Sequence, residues 1–154
     1  MDSRHMTIRV VELDDLPALA QIDSEVFGAL GYPPFVLRQL FDVHRPCWYV
    51  AVHPTDGLVG YSLAAVPLDR ATAWLLALAV SERQRGKGLG RLLVDATLEK
   101  LRQERIPQAE LTVEPTNTPA ITLYRSLGFA EHEHIADYLG PGQDRITMIH
   151  HLPA

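Results

Sequence analysis

The sequence predicts an α/β domain in which one mixed β-sheet is flanked by helices, and three observations carry that reading. Runs rich in β-branched and aromatic residues alternate with stretches of helical apolar spacing, in the order β-α-α-β-β-β-α-β-α-β-β. The strand runs Thr72–Val80 and Ala109–Val113 are separated by a helix-length segment, as a parallel crossover requires. Turn chemistry such as Pro54-Thr55-Asp56-Gly57 lies between the periodic segments.

The elements follow in order. Thr7–Val11 is a short β-branched strand. Acidic residues at Glu12, Asp14 and Asp15, with Pro17 in the first turn, open a helix whose apolar positions run Leu16, Leu19, Ala20, Ile22, Val26 and Phe27. Gly31-Tyr32-Pro33-Pro34 interrupts the pattern before a second helix over Phe35–Asp42. Cys47–His53 and Leu58–Val66 read as a β-hairpin, and Thr72–Val80, apolar on both faces, as a central strand. Leu89, Leu92, Leu93, Ala96 and Leu101 mark the crossover helix, stopped by Ile106-Pro107. After Ala109–Val113, Thr116-Asn117-Thr118-Pro119 starts a last helix that Gly128 ends, and strands over Phe129–Ile135 and Arg145–His151 close the pattern.

A chain of 154 residues suits one globular domain with a core of its own, expected over 7–154 after a flexible or appended start at 1–6. The longest apolar run, Ala71–Val80, is half the ~20 residues of a membrane-spanning helix. With no secretory leader pattern in view, the expected setting is cytoplasmic, away from membranes. The single cysteine, Cys47, reads as a small buried hydrophobe. A formal charge of −5 disfavours nucleic-acid binding and is compatible with a cationic partner such as an amine; a monomer or homodimer is expected.

Chemistry concentrates at Arg85-Gly86-Lys87-Gly88-Leu89-Gly90, between a strand and a helix. There successive backbone N–H groups face outward at a helix N-terminus, and Arg85, Lys87 and Arg91 add positive charge, which makes a cradle for a diphosphate. It is not a P-loop, because Gly88 stands where a magnesium-binding Ser or Thr is needed, and the G-x-G-x-G spacing departs from the dinucleotide fingerprint.

The stretch Leu78–Gly90 resembles the acetyl-CoA signature R/Q-x-x-G-x-G/A of the GNAT superfamily of N-acetyltransferases, with Arg85, Gly88 and Gly90 in its fixed positions. Independently, Asn117–Phe129 is similar to the N-x-x-A-I-x-L-Y-x-x-x-G-F segment of that family. The resemblance implies the GNAT fold as a single domain, with acetyl-CoA as cosubstrate and no metal. It also implies that the backbone of Leu78, Ala79 and Val80 pairs with pantetheine amides. By the same likeness the N–H groups of Arg85, Gly86, Lys87, Gly88, Leu89, Gly90 and Arg91 hold the pyrophosphate, Asn117 contacts pantetheine, and Tyr124 sits near the sulfur as general acid.

The base is less determined. Thr72–Val80 has no Asp, Glu or His where many GNAT enzymes carry a glutamate, and Thr112 stands where ribosomal-protein alanine N-acetyltransferases place their base. Alternation puts Glu110, Thr112 and Glu114 on one strand face, so either carboxylate is a candidate to act through a water, with Glu114 preferred. His132 and His134 alternate on one strand, but neither they nor His150 and His151 have the spacing of a zinc site.

The acceptor is expected to be a primary amine of a small molecule or of a peptide N-terminus. Its choice is expected to depend on Phe27–Asp42, with an aromatic, proline-stiffened loop, and on Ile135–Gln143. The other class of reading is a CoA-binding sensor or partner-binding domain with little catalysis, made thinkable by the missing strand glutamate.

Overall fold

A computed structural model describes residues 5–153. Of the start expected to be flexible or appended, residues 1–4 lie outside the described residues. Met6 is partly buried against Ala51, Val59, Leu89 and Leu93.

The described residues form seven strands and four α-helices: β1 (Thr7–Val10), α1 (Leu16–Phe27), α2 (Pro34–His44), β2 (Trp48–His53), β3 (Gly57–Ala65), β4 (Ala73–Val80), α3 (Leu89–Gln103), β5 (Gln108–Val113), α4 (Thr118–Ser126), β6 (Ala130–Ile135) and β7 (Arg145–His151). The order expected from the sequence is the order found. Short 3-10 turns at Leu13–Asp15, Gly28–Leu30, Arg45–Cys47 and Glu82–Gln84 were not legible in the periodicity, since one turn of three residues is too brief to repeat a pattern. The strands hydrogen-bond in the order β1-β2-β3-β4-β5-β7-β6, all antiparallel where the register is given except β4 with β5.

The chain divides into two compact units, one running to Ala64 and including Ala77–Lys100, the other made of Ala65–Leu76 and the chain from Leu101. In the first, α1 and α2 bury Leu19, Ile22, Leu37 and Phe41 against Trp48, Val50, Tyr61 and Leu63 of β2 and β3. The Ser62 and Thr97 hydroxyls lie 2.6 Å apart, one donating to the other, and the Leu93 carbonyl, 3.2 Å from Ser62 and 3.0 Å from Thr97, accepts the remaining hydroxyl hydrogen, so a buried polar pair pins β3 to α3. Cys47 is buried, as expected of it.

At the start of the first unit, Arg9 grips Asp15 with two hydrogen bonds, 2.7 and 2.9 Å, while Asp15 also accepts from the Glu12 N–H at 2.7 Å. The Arg9 guanidinium holds the Asp15 carboxyl below the usual carboxylate range, against the opposing effect of partial burial. A depressed folded-state pKa means the contribution is complete above the unfolded value, ~3.9, and lost as pH falls through the lower folded value. Asp15→Asn is therefore expected to cost about 1 kcal/mol at pH 7 and to leave a flatter fall in stability in acid, measured by urea unfolding at pH 7 and pH 3. Equal losses at both pH values would contradict this account.

In the second unit β5 alternates as its sequence predicts, with Ala109, Leu111 and Val113 buried and Gln108, Glu110 and Thr112 half-buried. α3 ends earlier than Ile106-Pro107: Arg105 turns left-handed at φ 58°, the Ile106 N–H reaches back to the Leu101 carbonyl at 3.0 Å, and Arg70 donates to the Glu104 carbonyl at 2.7 Å. The expected simple alternation of His132 and His134 is broken. A bulge between Glu131 and Glu133 leaves His132 without a facing residue, and the Glu133 N–H donates to the Thr147 hydroxyl instead.

Candidate active site

β4 pairs with β5 only over Ala73–Leu75, opposite Ala109–Leu111. Leu76–Val80 have no β5 partner in that ladder, so one backbone edge of the strand is open to an extended amide chain. The strand then runs out through Ser81, whose N–H is held by the Val59 carbonyl at 2.8 Å, into the 3-10 turn Glu82–Gln84 and the glycine-rich loop. Of the three residues singled out on this strand, Val80 already accepts at its carbonyl from Arg85 Nε, at 3.2 Å.

The loop rests on a built foundation. Gln84 is buried and its amide reaches Asp56 at 3.4 Å, while His53 Nδ1 accepts from the Thr55 and Asp56 N–H groups, both at 3.1 Å. Gln84 was missed as a site residue; a polar residue just ahead of a basic, glycine-rich loop is the signal that could have found it. Gly86 and Gly88 have φ of 77° and 80°, a conformation costly for other residues, and nothing lies within 4 Å of where a Cβ would stand on either. The turn is thus shaped by its backbone, with open space beside both glycines. Leu89 is buried and anchors the start of α3, whose first i→i−4 bond runs from the Leu92 N–H to the Gly88 carbonyl at 3.2 Å. The N–H groups of Leu89 and Gly90 precede that bond, so they have no acceptor within the helix. Arg85, Lys87 and Arg91 are exposed around them.

In the second unit Asn117 is the N-cap of α4: its side-chain oxygen accepts from the Ala120 N–H at 3.2 Å, which leaves its NH₂ group as the donor for a ligand. Two turns on, Tyr124 is buried edge-on against Phe129, ring centroids 5.8 Å apart. Burial pushes its phenol up to about 12. Tyr124 therefore remains a protonated donor throughout the neutral range.

The two candidate carboxylates, Glu110 and Glu114, differ. Glu114, one residue beyond the strand, is exposed and lies 3.7 Å from the buried Arg145 guanidinium. Arg145 was not foreseen, although an arginine opening a strand that continues Ile146-Thr147-Met148-Ile149 is a legible anomaly. Glu110 is half-buried; burial raises its pKa, His132 opposes that shift and Glu133 reinforces it. Among the described residues no group of three or more His, Cys, Asp and Glu side chains could hold a metal, and His132 and His134 lie instead near Glu133 and Asp144.

The sequence profile of the acetyltransferase (GNAT) family matches residues 14–129, three-quarters of the chain. The chain belongs to this family. The acetyltransferase is 29% identical over 126 residues to the [ribosomal protein bS18]-alanine N-acetyltransferase of Salmonella typhimurium, covering 81% of each chain. It is 26% identical over 153 residues to an N-alpha-acetyltransferase of Sulfurisphaera tokodaii, covering 92% of this chain and 90% of that one. The crystal structure of the ribosomal-protein-S18-alanine N-acetyltransferase from Escherichia coli superposes with a TM-score of 0.83 at 25% identity, covering 97% and 95% of the two chains. The acetyltransferase is thus an acetyl-CoA-dependent N-acetylating enzyme. Among its described residues no helix is long and apolar enough to cross a membrane.

Proposed function

We propose that the acetyltransferase transfers the acetyl group of acetyl-CoA to a primary amine, on a small molecule or at a peptide N-terminus. The observation that carries the donor side is the open backbone edge of Leu76–Val80 running into a cradle whose two left-handed glycines leave room for phosphate. Backbone groups of Leu78 and Ala79 take the pantetheine amides, with Val80 sharing its carbonyl between ligand and Arg85. The N–H groups of Arg85–Arg91 take the pyrophosphate, and Asn117 donates to pantetheine through its NH₂.

The chemistry needs a neutral amine, a polarised thioester and a proton for the departing sulfur. The amine nitrogen attacks the thioester carbon, the C–S bond breaks as the tetrahedral intermediate collapses, and the thiolate takes the Tyr124 phenolic proton. The ammonium proton leaves through a water to the carboxylate of Glu110 or Glu114. Glu114 is the candidate from the sequence, but its neighbour Arg145 competes for it. The burial of Glu110, which raises its proton affinity, supports Glu110 as a second candidate.

Glu110→Gln and Glu114→Gln separate the two. Loss of the base is expected to lower kcat/KM at pH 7 by ~10²-fold and to remove its acidic limb, while loss of the other carboxylate leaves both within a few-fold. Equal, small effects would leave the amine losing its proton to bulk water. The acceptor itself is found by incubating the enzyme with acetyl-CoA and a panel of amines and short peptides and following thiol release. Acetyl-CoA binding with no release for any amine would favour a CoA-binding sensor.

A further inference from the structure

The glycine-rich loop is held from one hairpin. β2 and β3 meet at the turn Pro54-Thr55-Asp56-Gly57, and three contacts from this hairpin reach the end of β4 and the residues after it, all within the first unit. β3 comes so close at Gly60 that a Cβ there would stand 2.9 Å from the Ala79 carbonyl oxygen and 3.2 Å from the Leu93 side chain, so only glycine lets the hairpin press on β4 and α3. One position earlier the Val59 carbonyl accepts the Ser81 N–H at 2.8 Å. At the tip, Asp56 accepts from the Gln84 amide at 3.4 Å, and Gln84, 3% exposed, is the last residue before Arg85.

The tip is itself fixed by a histidine. His53 is buried, and its Nδ1 accepts from the N–H groups of both Thr55 and Asp56 at 3.1 Å, as an asparagine side chain does when it closes a turn on the residues ahead of it. A nitrogen that accepts twice carries no hydrogen of its own. Burying the Gln84 amide is costly without a partner, and a leucine would fill a similar volume while needing none. What the polar chain from His53 through Asp56 to Gln84 supplies is geometry. It fixes the start of a loop whose left-handed glycines, Gly86 and Gly88, lose more conformational freedom on ordering than other residues do. A loop anchored before its ligand arrives loses less freedom on binding, and the difference appears as affinity.

We propose that Gln84, Asp56 and His53 are positioning residues for the diphosphate of acetyl-CoA: the β2–β3 turn holds the loop after Gln84 in the shape that receives the pyrophosphate. This rests on the reading of Arg85–Arg91 as the pyrophosphate cradle. The effect is confined to the phosphate-bearing part of the donor, because the three residues join the chain at Gln84, beyond the Leu78–Val80 backbone that takes the pantetheine amides.

The test compares two probes by calorimetry on the whole enzyme: acetyl-CoA, and S-acetylpantetheine, which has the same thioester and amides but no phosphate. The wild-type enzyme is expected to bind acetyl-CoA far more tightly. Gln84→Leu keeps the volume and removes the donor. It is expected to raise the acetyl-CoA Kd about tenfold, to leave that of S-acetylpantetheine within about twofold, and to keep the melting temperature of the unliganded protein. Asp56→Ala is expected to act alike, and the double variant to bind no more weakly than either single one, since each removes the same link. Asp56→Asn still accepts from Gln84, and His53→Asn can accept the same two N–H groups, so both are expected to stay within about threefold of wild type. His53→Leu is expected to weaken acetyl-CoA as Gln84→Leu does; should it fold poorly, the Gln84 and Asp56 variants decide. Equal rises in both Kd values, an unchanged acetyl-CoA Kd in Gln84→Leu, or additive losses in the double variant overturn the proposal. A wild-type enzyme that binds both probes alike loses the cradle reading and the proposal with it, whereas a wild-type preference that survives Gln84→Leu sinks the proposal alone.

Discussion

Saturating acetyl-CoA is expected to raise the melting temperature by roughly 5–10 °C at a hundredfold excess over Kd. Mass action gives ~2.7 kcal/mol at that excess, and for a chain of this size each kcal/mol moves the midpoint by about 2–4 °C. The cause is the cradle: N–H groups at the start of α3 without helical acceptors, three exposed cations, and Gly86 and Gly88 in left-handed conformations with open space beside them. Gly88→Leu is expected to remove the shift, because its side chain fills the space a phosphate needs and resists φ of 80°. The unliganded fold is expected to lose only about 1–2 kcal/mol from that strained residue. Differential scanning fluorimetry with and without acetyl-CoA, on both proteins, reads each quantity. An unmoved midpoint for the wild-type protein would falsify the placement of the donor.

Tyr124→Phe is expected to lower kcat by ~10²-fold or more while the acetyl-CoA Kd stays within a few-fold. The ring and its edge-on contact with Phe129 persist, so packing is preserved and only the proton donor is lost. Near-normal turnover in Tyr124→Phe would remove the phenol from the mechanism and leave water as the acid. Burial also has a sign that can be checked. Since the phenol is pushed up to about 12, the acid form persists through pH 10, and no fall of kcat from its ionisation is expected there. An ordinary tyrosine, at ~10, would be half ionised at that pH. The pH profile of kcat between 8 and 10.5 distinguishes the two, once an acceptor that stays neutral over that range is in hand.

The sequence by itself determined the order of strands and helices, because each is long enough to repeat its own period. β7 was read at its actual bounds, Arg145–His151, and β4 within one residue. It also determined the glycine-rich turn before α3 and α4 itself, whose residue types are demanded locally: glycine by positive φ, Asn117 by the cap it makes, Pro119 by the first helical turn. Tertiary structure decided what depends on residues far apart in the chain. That the β4–β5 ladder stops at Leu75 depends on pairing between residues 36 positions apart, as Leu75 with Leu111, and no single-strand pattern encodes it. The standing of the two candidate carboxylates came from Arg145 beside Glu114 and from the burial of Glu110, which alternation alone leaves equal. Asp23 shows the same limit most sharply. Its place four residues after Leu19 put an acid on the buried stripe of α1, a visible anomaly, but its partners Tyr32 and Tyr61 come from a loop and from another strand. A carboxylate's worth depends on the donors around it, and folding brings those donors together across the chain.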